Sequence, residues 1–382
     1  MQNPFIYGEV VPASAFVDRV DELAELRRDL EACQKVFLIS PRRYGKSSLI
    51  AQALRALARH GTLTVSVTVA SYSSYLAFLE GYARAVLAAE TRWDRARAWL
   101  KEVMGSAEPE VRYVAGAGEP GRLAVSFHGA HSGRDLSRLA AEVFALPQQL
   151  ADARHRRVVV ALDEFQAIGA FDSGSVEHAL RAAIQQQRSV GYVFAGSEPS
   201  LMERMLGPKR PFYKAGPVMR LGKIPPRLFA AFIESRFARA GMRPAEGFGD
   251  ALVELAGNLP YDVQRLAHET WDDAGAARRR RVELEDVHAT LGRLLTEQEP
   301  LFERAWQQLT LPQRAALRAV VVQEGRELLS ADARGRHRLG GASTVQASLA
   351  SLVRQDLVAR DGPRYGVVDS LFREWVARRT FS

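Results

Sequence analysis

Residues 36–48 read VFLISPRRYGKSS, and no other stretch limits the possible folds as much. A short apolar run leads into a loop of Pro, Arg and Gly. Lys46 and two hydroxyl residues then open an amphipathic segment carrying Leu49, Ala53, Leu54 and Leu57. A strand, loop and helix in this order form a phosphate-binding loop. Backbone N–H groups at the helix N-terminus surround the phosphates, a lysine meets the β and γ oxygens, and a hydroxyl joins the shell of Mg²⁺. Gly45, Lys46 and Ser47 fill those roles, and Ser40, Pro41, Arg42, Arg43, Tyr44 and Ser48 complete the loop. The general pattern is G-x-x-x-x-G-K-[ST], and Ser40 stands in place of its first glycine, so that turn must accept a Cβ.

A phosphate loop alone does not specify hydrolysis, which needs an acidic strand end. Arg156-Arg157 lead into VVVAL, a run too short for a membrane helix, and Asp163 and Glu164 follow it. Open α/β sheets bind ligands at the C-terminal ends of their strands. Asp163 is therefore the candidate Mg²⁺ residue beside Ser47, and Glu164 the candidate base for the water that attacks a γ-phosphate. Gln166 is next in line for the base. A third strand, 192–195, ends in Gly196-Ser197. In nucleotidases whose Glu follows the acidic Asp, a strand of this kind lies between the other two. Ser197 then either senses the γ-phosphate, as a third catalytic residue beside Lys46 and Glu164, or caps a helix starting near Ser200.

Taken as a set, NPFIYGEV, FVDRVDELAEL, SPRRYGKSSL, VVVALDEFQ, VFAGSEPSLM, GNLPYDVQ and a C-terminal winged-helix pattern resemble the AAA+/STAND-type P-loop ATPases of the archaeal-type, MNS-like group, over nearly the whole chain. The resemblance implies an α/β fold: a P-loop parallel sheet of AAA+ type over 1–222, a helical lid over 223–300 and a winged helix over 301–382. It implies ATP and Mg²⁺ as ligands. In such proteins an F-x-[GD]-R-x-x-E-L box packs near the adenine, which implicates Phe16, Asp18, Arg19 and Glu22, with Pro4 to Tyr7 nearby. A G-x-P segment of the lid implicates Gly257, Pro260 and Tyr261. A neighbouring subunit often supplies a cation to the γ-phosphate, and Arg204, Arg210 and Arg236 lie in the right part of the chain. From the residues alone, Val20, Leu23, Leu26 and Leu30 are the buried stripe of an amphipathic helix, and 260–261 a buried helix start.

An insertion spans about 71–135. Its first part reads as helix through residue 100, with Tyr75, Phe78, Leu79, Tyr82 and Val86 on one side. Residues 111–127 alternate as a β-hairpin around Gly118-Glu119-Pro120-Gly121. His128 and His131 lack the further ligands a metal needs and read as a solvated loop. After Lys223 the pattern is helical, from Pro225-Pro226 through Phe229, Ile233 and Phe237, and again from Pro260. Arg278 to Arg281 is a solvated loop or a docking site. The last segment reads as a helix from Pro312, a basic loop with Arg334, Arg336 and Arg338, a helix capped by Ser343, and two strands around Asp361-Gly362. Thr344, Gln346, Ser348 and Arg354 are placed for a major groove, and Arg360 and Arg364 for the adjacent phosphates; the alternative is a winged helix that docks protein.

The net charge of +8 favours a polyanionic partner or a basic solvated surface, and arginine exceeds Asp plus Glu by five in residues 301–382. Cys33 is the only cysteine, which excludes disulfides and a cysteine-rich zinc site. With no apolar run near ~20 residues and no charged-then-apolar leader, a reducing cytoplasm and no membrane are expected. Two functions compete. One is an ATPase, alone or as a homo-oligomer, that acts on double-stranded DNA or a DNA-bound partner. The other is a slow-turnover nucleotide switch holding ATP or ADP, whose winged helix docks protein.

Overall fold

Parallel strands buried on both faces need near-continuous apolar sequence, and the chain supplies it in short runs. The structure, a computed structural model, describes residues 2–12, 15–17, 19–89, 99–100, 102–104, 108–114, 122–128, 132–171 and 175–381. Strands β1 (Lys35–Ile39) and β2 (Leu63–Thr68) are followed by an inserted hairpin, β3 (Glu108–Val114) and β4 (Arg122–His128), and then by β5 (Val158–Asp163), β6 (Val190–Gly196) and β7 (Val218–Arg220). The main sheet runs in the order β2-β5-β6-β1-β7 with every pair parallel. The strand that ends in Gly196 thus lies between the strand of the phosphate loop and the strand of Asp163, as its sequence context requires. All three loops leave the same edge of the sheet.

Helices α1 (Val20–Glu31), α2 (Lys46–Arg59), α3 (Tyr75–Ala88), α4 (Gly133–Arg154), α5 (Ser175–Gln186) and α6 (Pro199–Met205) cover this sheet. A reciprocal Ser132–Asp135 capping box starts α4. The buried stripe of α1 is Leu26 and Leu30, whereas Val20 is 74% exposed. The reason is local: Arg19 adopts a left-handed φ of 99°, so Val20 begins the helix and its turn reaches beyond the core. The inserted hairpin buries Val111, Val125 and Phe127 in the same core as Phe78 and Tyr82. Its turn at 118–121, His131, the His128 side chain and Asp18 lie outside the described residues.

By its internal contacts the chain forms two compact units, Arg19–Gly222 and Met1–Asp18 with Lys223–Ser382. The N-terminal segment, grouped by sequence with the ATPase domain, packs in the second unit because its apolar and polar groups find partners there. Phe5 is buried against Phe237 at 4.8 Å, Asn3 donates to the His268 carbonyl at 3.0 Å, and the Tyr7 hydroxyl donates to Glu269 at 2.8 Å.

The second unit continues with α7 (Pro226–Arg239), a two-stranded pair of β8 (Arg243–Pro244) and β9 (Arg281–Val282), α8 (Phe248–Leu255), α9 (Pro260–Ala276) and α10 (Leu284–Gln307). The winged helix comprises α11 (Leu311–Val322), α12 (Ala331–Arg336), α13 (Ala342–Arg354), the hairpin β10 (Val358–Asp361) and β11 (Arg364–Val367), and α14 (Ser370–Phe381). The boundary expected at residue 300 falls inside α10. Phe302 and Trp306 at the end of that helix pack on Phe372 and Trp375 at 5.5 and 5.9 Å. Lid and winged helix therefore share one core.

Three local readings are corrected. Arg334 and Arg336 sit on a helix rather than a loop, because the Ser330 hydroxyl accepts from the Ala333 N–H and caps it. Helix α13 starts one residue before Ser343, with Gly341 as its uncapped boundary. Ser348 is buried on the core side of α13 and does not face a groove. Among the described residues no helix is long and apolar enough to cross a membrane.

Glycine at 191 is required by space. A Cβ there would sit 2.6 Å from the carbonyl oxygen of Leu30. Gly191→Ala should destabilise the first unit by about 1–3 kcal/mol, read as a lowered urea midpoint. Gly133→Ala, at a helix start with nothing within 4 Å, should leave that midpoint unchanged or slightly raised.

Candidate nucleotide site

The loop from β1 to α2 turns on Gly45, whose φ of 88° is a conformation that glycine adopts without a Cβ penalty. Ser40 replaces the first glycine of the motif without strain. It is fully buried, lies outside the left-handed region, and donates through its N–H to Gly196 O at 3.2 Å. Arg19, also buried, donates to the carbonyls of Tyr44 at 3.3 Å and Gly222 at 2.7 Å. It thus ties the loop between β1 and α2 to the segment after β7. Phe16 and Pro260 belong to the other unit, where Phe16 is half-buried and Pro260 is the first residue of α9.

Lys46 is only 5% exposed, and its ammonium donates to Asp163 Oδ1 and, at 3.2 Å, to Glu164 Oε1. The Ser47 hydroxyl donates to Asp163 Oδ2 at 2.7 Å. Glu164 sits at a left-handed φ of 51°, a conformation that costs a non-glycine residue about 1–3 kcal/mol and tends to collect at functional sites. Its other oxygen, Oε2, accepts from the Ser197 hydroxyl and from Gln166 Nε2 at 2.6 Å. Ser197 thus does not cap the following helix; α6 starts at Pro199 behind Glu198 with no side-chain cap. Gln166, kept by the sequence only as a substitute base, is a second donor to Glu164. The signal for that role was its position two residues after the Glu on a tight turn.

These contacts set the ionisation of Glu164. Burial pushes its carboxyl pKa up, but the Ser197 hydroxyl, the Lys46 charge and the Gln166 amide together hold it below the ordinary value. The associated stability is present above the unfolded carboxyl pKa and is lost as pH falls through the lowered one. Glu164 is therefore an anion at neutral pH. Asp163 Oδ2 and Ser47 Oγ form an all-oxygen pair, the donor type a hard divalent cation takes. Among the described residues no group of three or more His, Cys, Asp or Glu could hold a metal by itself.

A cleft of about 960 Å³ adjoins Glu164 and Gln166 and is lined also by Arg42, Arg204, Arg210 and Glu177. Two of the arginines considered for a neighbour's site thus face the cleft of their own unit, and Arg210 pairs with Glu177 at 3.8 Å. Arg236 is engaged elsewhere: its guanidinium donates to Pro4 O and lies 5.5 Å over Phe232. In the winged helix, Thr344, Gln346 and Arg354 are exposed on α13, and Arg360 and Arg364 are exposed on the hairpin. Arg360 also donates to Gly362 O at 3.0 Å.

Comparisons with known proteins bear on the fold. Residues 300–378 match the family model of a probable winged helix domain. A Walker-type ATPase of Pyrococcus abyssi superposes with a TM-score of 0.63 at 15% identity, over 97% of this chain and 99% of that one. The chain has the fold of these ATPases. The ORC2 protein of Aeropyrum pernix superposes with a TM-score of 0.57 at 14% identity, over 100% of this chain and 99% of that one. The ORC1 protein of the same organism, solved with DNA, gives 0.52 at 14% identity, over 99% and 98%. None of the curated protein sequences matches the chain.

Ser197→Ala removes the strongest of the contacts that lower the Glu164 pKa. The carboxyl should then titrate at higher pH, as seen by ¹³C NMR of labelled glutamate. An unchanged titration would show that Lys46 and Gln166 suffice.

Proposed function

We propose that this chain is an ATPase that binds ATP with Mg²⁺, hydrolyses it, and couples the event through the lid to a winged helix acting on DNA or a DNA-bound partner. The observation that carries the reading is the convergence of Lys46, Ser47, Asp163, Glu164 and Ser197 from three neighbouring strand ends into one hydrogen-bonded chain. The fold likeness to a Walker-type ATPase, to an ORC2 protein solved with ADPNP and ADP, and to an ORC1 protein solved on DNA supports it.

ATP phosphates entering the loop compete with Asp163 and Glu164 for the Lys46 ammonium, which then screens their β and γ charges. Ser47 and Asp163 would hold Mg²⁺, which would neutralise charge on the phosphates. Glu164, released from Lys46 yet still oriented by Ser197 and Gln166, accepts a proton from the attacking water. Ser197 adjoins both the base and the phosphate loop, as a γ-phosphate sensor must. One observation favours the slow-switch reading: lid and winged helix share a core through Phe302, Trp306, Phe372 and Trp375, so a movement of the lid carries the winged helix with it.

Lys46→Ala should abolish tight ATP binding by calorimetry. Glu164→Gln should keep ATP and slow phosphate release by on the order of 10² to 10⁴; unchanged turnover would remove Glu164 from the mechanism. Added duplex DNA should accelerate release in the DNA-coupled reading and leave it unaffected in the switch reading.

The wing arginines give a separate check. Replacing Arg360 and Arg364 together by Ala should flatten the salt dependence of duplex binding by roughly two units while ATP binding stays intact. Anisotropy of a labelled duplex across a salt series measures it. No salt-sensitive binding by the full chain would leave protein docking as the role of the winged helix.

A further inference from the structure

The excess positive charge is not where the winged-helix reading would put it. Residues 19–222 hold 28 Lys plus Arg against 21 Asp plus Glu, a net of +7, whereas the other unit holds 24 against 23, a net of +1. The surplus of the winged helix is nearly cancelled by acids elsewhere in its own unit. The basic character of the chain therefore belongs to the unit that carries the phosphate loop.

Part of that charge is gathered in a cleft of about 750 Å³ lined by Arg27, Glu31, His60, Gly61, Thr62, His155, Arg156 and Arg157. It lies at the N-terminal ends of β2 and β5. Asp163 is at the opposite end of β5, roughly 17 Å away by the rise of an extended strand. The cleft is therefore distinct from the nucleotide site. Three helices end at it: α1 brings Arg27 and Glu31, α2 its C-cap residue His60, and α4 its C-cap residue His155. Cations at helix C-termini offset the helix dipole, which accounts for part of this arrangement. Arg156 and Arg157 lie beyond the helices. The one carboxylate in the lining, Glu31, is already paired with Arg27 at 3.6 Å. Arg156 is held in place by its Nε–H donating to Gly61 O at 2.6 Å. Arg157 is exposed and has no side-chain partner among the described residues, and Arg27 Nε is buried without an acceptor.

We propose that this cleft is a binding surface for the phosphodiester backbone of a nucleic acid, independent of the winged helix. Its lining decides the class of partner. Protein interfaces centre on Tyr, Trp, Phe and other apolar side chains, and this cleft offers none of them. Interfaces with nucleic acid are polar and strongly positive, and arginine forks match phosphate oxygens. With no Phe, Tyr or Trp in the lining and no groove-sized reading element, the contact is to backbone and independent of sequence.

The test uses the full chain with Arg360→Ala and Arg364→Ala already in place, so that the wing does not contribute. Anisotropy of a labelled duplex across a salt series is compared with and without Arg156→Ala plus Arg157→Ala. Residual binding should weaken about tenfold or more at low salt, and its slope should flatten by about two units. Arg157→Glu alone, which leaves the Arg156 to Gly61 bond intact, should produce most of the loss. ATP binding at Lys46 should be unchanged in each variant, which shows that the unit is folded. Unlabelled duplex should compete far better than polyglutamate of equal charge. The proposal is overturned if the wing variant shows no residual binding, if the cleft variants match it in affinity and slope, or if polyglutamate competes equally.

Discussion

A buried ammonium must be paired, and in this protein that requirement ties the sheet together. Lys46 is carried by the helix after β1, its carboxylate partners by the end of β5, and β6 lies between them. A charge removed from water without partners costs several kcal/mol. The pairing is thus satisfied only when the two outer strands take their places on either side of β6, in one register and with their C-terminal ends at the same edge. The apolar faces of the strands would tolerate other neighbours. The observed order brings Lys46 within reach of both Asp163 and Glu164.

The same interaction gives the site its readiness. In the structure Lys46 is held by Asp163 and Glu164, and under the proposed function phosphates would displace these carboxylates. Glu164 keeps Ser197 and Gln166 after such an exchange, so its orientation does not depend on the ion pair alone. Its left-handed backbone is strained, and the surrounding hydrogen bonds are what hold it there. Arg19 adds a further constraint by bonding a carbonyl of the phosphate loop from behind.

The second unit is organised differently, around aromatic packing rather than charge. Phe302, Trp306, Phe372 and Trp375 join the long lid helix to the last helix of the chain, and Arg314, Arg318 and Arg379 lie over the Trp306 ring. Several of the arginines that make the winged helix look basic are spent in such contacts. Arg336 pairs with Asp332, and Arg360 bonds Gly362. These contacts hold the arginine side chains against the domain without removing their charge, and the first unit carries most of the net excess.

Much of the site was legible in the sequence because its chemistry is written in short local patterns. Lys46 and Ser47 open a helix, Asp163 and Glu164 end an apolar run, and each pattern reports the geometry of its own few residues. What the sequence by itself determined was the α/β sheet and the winged-helix pattern, and it named Lys46, Ser47, Asp163 and Glu164, which the fold brings together. Several features depended on distant partners. Whether Ser197 caps a helix or holds Glu164 is decided by a side chain 33 positions away. That Phe5 packs on Phe237 follows from a contact across more than 200 residues, to which local periodicity is blind. The burial of Ser348 and the continuity of the helix across residue 300 were likewise settled by packing. Tertiary structure alone decided these points, because burial and hydrogen bonding belong to the neighbours a residue meets and not to the residue itself.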